Sequence, residues 1–156
     1  MDISIEQIFA PNYDLRLLIA ELEAYLAGLY LPEQQHGWKL DRLFEPNVKV
    51  FLTKQGNRTV GCGCIALFGD YAEVKRMFVI PAARGQGLGR AMLKRLEDEA
   101  REAGMKWLRL ETGHAQADAM RLYEAYGFHP RRSFGDYKDL SPLGLATSHF
   151  YEMNLQ

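Results

Sequence analysis

The order of hydrophobic periodicities predicts a mixed α/β (α+β) fold, with six to seven strands in one mostly antiparallel, twisted sheet flanked by about four helices. Three observations carry it. Two segments repeat apolar residues at helical spacing, three apolar runs between them are divided only by short turns, and further strand-like runs close the chain.

Ile3 and Ile5 alternate with polar residues, as in a short strand. Pro11-Asn12 follows, with Asn12 placed to cap a helix. Leu15, Leu18, Ile19, Leu22, Leu26 and Leu29 form the apolar stripe of that helix, and Pro32 ends it. Glu33 to Pro46 reads as a polar loop with a short helix near Leu40–Leu43. Val48, Val50 and Leu52 begin a meander that turns at Gln55-Gly56-Asn57 and Gly69-Asp70, runs through Thr59 to Phe68 and Tyr71 to Ile80, and closes at Pro81. A helix from Leu88 to about Ala103 carries Leu88, Met92, Leu96, Ala100 and Ala103 on one stripe, a Glu97–Arg101 pair and Gly104 as its cap. Trp107 to Leu110 reads as a strand and Ala117 to Tyr126 as a helix stopped by Gly127. Phe128 to Gln156 reads as two strands joined by a loop around Gly135–Ser141.

The 156 residues suit one domain over 1–156, and a chain of this size buries about two-thirds of its unfolded surface. A net charge of -1 gives no electrostatic reason to expect nucleic acid as a partner. Met1 to Glu6 lacks the pattern of a signal peptide, and Leu15 to Leu31 is broken by Arg16, Glu21 and Glu23, so neither export nor a membrane span is expected. The cytoplasm is the expected location. Cys62 and Cys64 read as small buried residues rather than a redox or metal pair, and His36, His129 and His149 lack metal-ligand spacing, so no metal is expected.

The run Arg84-Gly85-Gln86-Gly87-Leu88-Gly89-Arg90 stands between a strand and a helix. Glycines let a ligand approach the backbone, successive N–H groups converge on an anion, and the helix adds the positive end of its dipole. The run therefore predicts a phosphate or pyrophosphate site. A dinucleotide fingerprint starting at Gly85 would need glycine where Arg90 stands, and a P-loop would need Lys followed by Ser or Thr.

Arg84, Gly87 and Gly89 do fit Arg-x-x-Gly-x-Gly, and this resembles the coenzyme A motif of the GNAT superfamily of N-acetyltransferases. Leu122-Tyr123-Glu124-Ala125-Tyr126-Gly127-Phe128 resembles the superfamily's second motif, Leu-Tyr-Glu-x-x-Gly-Phe. The resemblance is close from about Tyr71 to Phe128 and implies a GNAT-like domain with a V-shaped splay between the strand at 71–80 and the strand at 106–112. It implies acetyl-coenzyme A as cosubstrate, with Met77, Phe78 and Val79 along the pantetheine arm and Arg84 through Arg90 on the pyrophosphate. Tyr123 matches the family's general acid, and Gln116 stands where the family often has an asparagine contacting coenzyme A. Glu73, six residues before Val79, matches the catalytic glutamate of the histone-acetylating branch, with Glu111 and His114 as rival bases. The acceptor surface implied by the family falls on Tyr30 to Trp38 and Ser133 to Leu145, where Asp136 and Asp139 would attract a cationic amine. The expected activity is acetyl transfer to a primary amine of a small molecule such as an amino acid or polyamine, with no nucleic acid or membrane partner. A coenzyme A-binding sensor, a protein N-acetyltransferase and a nucleotide-binding domain are the alternatives. Dimers are common among similar proteins.

Overall fold

The computed structural model describes residues 2–156; Met1, the first residue of the start read above as lacking a signal peptide, lies outside the described residues. Seven strands form one sheet: β1 (Ile3–Ile8), β2 (Val48–Gln55), β3 (Arg58–Leu67), β4 (Tyr71–Val79), β5 (Trp107–Gly113), β6 (His129–Arg131) and β7 (Ser148–Asn154). Their spatial order is β1-β2-β3-β4-β5-β7-β6. Every neighbouring pair is antiparallel except β4–β5.

Helix α1 (Tyr13–Ala27) covers one face and α2 (Leu88–Glu102) with α3 (Ala117–Tyr126) covers the other. The strand alternation of β3 sorts the two layers. Cys62 and Cys64 pack with Leu15, Leu18 and Leu22 of α1, while Gly63 between them lies against Met92 of α2. Both thiols are free and buried, and burial raises that of Cys62 to about 12. A thiol so far from its thiolate has no redox or ligand chemistry at neutral pH.

Asn12 caps α1 as expected, its Oδ1 accepting from Leu15 N at 2.9 Å. The helix ends at Ala27 and Gly28, however, before Pro32; Leu29 falls beyond it and is exposed. Pro32 instead opens a 3-10 turn, Pro32–Gln34, as its fixed φ suits a first helical position. The segment read as a polar loop also holds the 3-10 turn Leu40–Phe44 and buries Leu43 completely. The loop expected around Gly135–Ser141 is a 3-10 turn, Gly135–Asp139, followed by the short α4 (Pro142–Ala146), and it buries Phe134 and Tyr137 against Phe150.

Two irregularities in β4 position the site. An extra residue bulges the strand between Lys75 and Phe78, where Arg76 takes a left-handed φ of 51°. β4 also pairs with β5 through only Tyr71–Trp107, Ala72–Leu108 and Glu73–Arg109. Beyond Glu73 the two strands part, which is the V-shaped splay.

Candidate active site

Two cavities open at the splay. The larger, about 540 Å³, runs between the end of β4, the start of α2 and the start of α3. Gly85 and Gly87 take left-handed φ of 81° and 78°, and Gly87 caps α2. Their positive φ turns the backbone so that the six N–H groups from Gly85 to Arg90 meet no protein acceptor among the described residues. Six free donors at a helix N-terminus are able to hold an anion, the role expected of the glycine run. Gly89 serves packing instead: a Cβ there would lie 3.0 Å from Leu122, so glycine lets α2 and α3 close together.

The side chains of this run divide by role. Leu88 is buried in the core and Gln86 turns away, accepting from Gln55 and donating to Ala83 O, so both offer only backbone to a ligand. Arg84 lies over the Tyr25 and Phe78 rings and its Nε donates to Val79 O at 3.0 Å, which occupies one carbonyl on the expected pantetheine edge. Arg90 lies over the Tyr126 ring. Arg84, Arg90, Met77, Phe78 and Val79 all line the larger cavity.

The smaller cavity, about 100 Å³, lies on the α1 side of the splay. Three ties between distant segments build its walls. Arg76 reaches from the β4 bulge to Trp38 O, and a Cβ on Gly37 would collide with its guanidinium, so only glycine lets that segment lie so close. Tyr30 donates to Gln116 Oε1 and accepts from Ala115 N. Tyr137 donates to Glu73 Oε2 at 2.5 Å and accepts from Lys75 Nζ at 2.7 Å. The segments expected to face the acceptor thus supply Tyr30, Gln34, Gln35, His36, Gly37 and Tyr137. Asp136 and Asp139 are exposed and line neither cavity.

Leu22, Met77, Gln116 and Tyr123 line both cavities and so mark where they meet. Tyr123 is 8% exposed, and its hydroxyl has no hydrogen-bond partner among the described residues. Burial, with the Glu111 charge nearby, keeps its phenol protonated far above neutrality. Gln116 uses its carbonyl oxygen on Tyr30, Thr112 and Gly113, leaving its amide nitrogen without a partner among the described residues.

The candidate bases separate clearly. Glu73 is 3% exposed and paired with Lys75 at 3.3 Å; it lies behind Lys75 and Tyr137 and does not line the cavity. Glu111 does line it. Burial raises the Glu111 carboxyl from the ordinary 4.5 to about 7, against a Ser148 hydroxyl that donates to it at 2.7 Å and the positive charge of Lys75. His114 is exposed and lines neither cavity. Sequence reasoning singled out neither Lys75 nor Arg76 and reached Tyr137 only within Ser133 to Leu145. The prior trace of the first two was a Lys-Arg pair in a mostly apolar strand.

The family model described as acetyltransferase (GNAT) family matches residues 9–128. The chain belongs to that family. It is 48% identical over 122 residues to an IAA acetyltransferase of Azospirillum brasilense, covering 77% of this chain and 80% of that protein. Its fold superposes on a putative acyl-CoA N-acyltransferase of Klebsiella pneumoniae with a TM-score of 0.83 and 33% identity, over 99% and 98% of the two chains. A GNAT acetyltransferase of Elizabethkingia anophelis with acetyl-CoA bound matches with a TM-score of 0.66 and 25% identity, over 97% of each chain. The protein is thus an acyltransferase of a family that uses acetyl-coenzyme A. Among the described residues no three His, Cys, Asp or Glu side chains cluster as a metal site requires, and no helix is long and apolar enough to cross a membrane.

Proposed function

We propose that the chain is one N-acetyltransferase domain over 1–156 that moves an acetyl group from acetyl-coenzyme A directly to the primary amine of a small molecule, with both substrates bound together. The observation that carries this reading is the meeting of two cavities at Tyr123 and Gln116, one with an anion cradle and one with a carboxyl that titrates near neutrality. The cradle of six free N–H groups, flanked by Arg84 and Arg90, fits a pyrophosphate. The unpaired edge of β4 at Met77–Val79 fits a polar, extended arm.

Bound acetyl-coenzyme A supplies the thioester, whose acetyl carbon accepts the amine nitrogen as its C–S bond breaks. Glu111 takes the proton that the amine must lose, because it faces the small cavity and is half ionised near neutral pH. Tyr123 gives its phenolic proton to the departing sulfur and recovers one from water, and burial holds it in the protonated form that this requires. The amide nitrogen of Gln116, at the same junction, donates a hydrogen bond toward the cosubstrate. Glu73 acts through Lys75 and Tyr137 rather than on the amine.

Calorimetry with acetyl-coenzyme A and a transfer assay over a panel of small amines test the reading together. Micromolar affinity is expected, as is ordinary for enzyme ligands. An absence of binding would remove the cofactor assignment. Transfer confined to a protein or peptide N-terminus would replace the small-molecule acceptor.

A further inference from the structure

The small cavity is lined by three charged side chains: Lys75, Arg76 and Glu111. Lys75 is 6% exposed, a rare setting for an ammonium. Its Nζ donates to the Tyr137 hydroxyl at 2.7 Å, meets Glu73 at 3.3 Å and lies 4.6 Å from the Trp38 ring centre. Glu73 and Trp38 are both outside the cavity lining, so the counter-charge lies outside a wall to which Lys75 belongs. Two of the three N–H groups are spent on these partners, and one is left over.

His36 lines the same cavity, and its Nε2 is buried with no hydrogen-bond partner among the described residues. Burial and the neighbouring Lys75 charge disfavour the imidazolium, against a backbone hydrogen bond with Gly144, and the neutral ring protonated on Nε2 offers an N–H donor there without adding charge. Glu111, the group placed above at the amine, lines the same cavity. A cavity of about 100 Å³, smaller than the roughly 150 Å³ that encloses benzene, favours a compact acceptor.

Resting on the acetyl-transfer reading, we infer that this cavity selects a compact amine that also carries an acid group, a carboxylate or phosphonate, anchored by Lys75 and His36 while the amine faces Glu111. The second cation of a diamine or polyamine would be driven against Lys75 and Arg76 instead. The polyamine arm of the acceptor class therefore drops out, and amino acids with their phosphonate analogues remain.

The experiment is titration calorimetry on the full chain saturated with coenzyme A. The probes are the common amino acids, β-alanine and 2-aminoethylphosphonate, each carboxylate set against its methyl ester, together with propylamine and putrescine. At least one acid-bearing amine is expected to bind tenfold or more tighter than its ester and than putrescine. Lys75→Gln combined with Glu73→Gln removes the buried charges as a pair, so the chain keeps a balanced interior. That double variant and His36→Ala, each checked for cooperative thermal unfolding, are expected to erase the preference while coenzyme A affinity stays within about twofold. An ester or putrescine bound as tightly as the acids, no acid-bearing probe bound, or a preference that survives in both variants would overturn the inference. Acid-selective binding with no acetyl transfer would remove the proposed activity and leave this subsite standing.

Discussion

The two cavities are built by opposite means. The larger one is walled by a contiguous run, Arg84–Arg90, whose ligand-facing groups are backbone N–H donors set by two glycines and a helix start. The smaller one is assembled from six separate stretches, near residues 22–26, 30–37, 74–77, 110–116, 123 and 137, tied by hydrogen bonds that span 62, 64 and 86 residues of sequence. Backbone geometry tolerates wide variation in the side chains it uses. A cage of side chains is set by each identity in it.

Tyr123 belongs to both cavities, and its loss should have the largest effect. Tyr123→Phe is expected to lower kcat by about 10²–10⁴-fold with coenzyme A affinity nearly unchanged, read by steady-state kinetics beside calorimetry. Unchanged turnover would remove the acid role.

Glu111 tests the smaller cavity alone. The acidic limb of kcat/KM is expected to fall as pH drops through about 7, and Glu111→Gln should abolish that limb and cost about 10²-fold in rate. Stability should move the other way. A carboxyl raised from 4.5 to about 7 binds its proton more tightly in the folded chain, so folding stability declines as pH rises between those values. Glu111→Gln should consequently raise Tm more at about pH 8 than at about pH 5. An equal gain at both would mean that the carboxyl ionises normally.

Gly87→Ala tests the larger cavity. Its φ of 78° disfavours any Cβ by about 1–2 kcal/mol, and relaxing that strain would turn N–H groups out of the cradle. A drop of about tenfold in coenzyme A affinity is expected, the free-energy equivalent of about 1.4 kcal/mol, with the acceptor preference intact.

The smallest effect should come from Gly113→Ala, whose Cβ would collide with the Tyr30 hydroxyl and loosen its ties to Gln116 and Ala115. A severalfold rise in acceptor KM is expected with the coenzyme A KM held. Equal changes in both would mean that Tyr30 supports the two cavities alike.

How much of this was legible in the sequence follows the same division. The strands and helices came from periodicity, and the cradle from glycine spacing, because both are local. Tyr123 and Gln116 were singled out through a neighbouring motif, and both line the junction of the two cavities. Spacing favours Glu73 as the base, but nothing local shows that Lys75 and Tyr137 stand between it and the cavity. Glu111 owes its raised carboxyl to burial beneath segments far away in sequence, and burial has no signature in the residue itself. The end of α1 shows a milder form of this: Pro32 was read as a stop, yet the helix had already closed at Gly28.

The three-residue pairing of β4 with β5 has a final consequence. It is the seam in the sheet between a four-stranded half, β1 to β4, and a three-stranded half, β5 to β7. A molecule seated in the splay touches both halves and supplies the stitching that the absent ladder would have provided. Because that berth exists only in the closed chain, a ligand at a hundredfold excess over its Kd adds about 2.7 kcal/mol to folding. Filling of the berth would then be read as a Tm that climbs with ligand concentration.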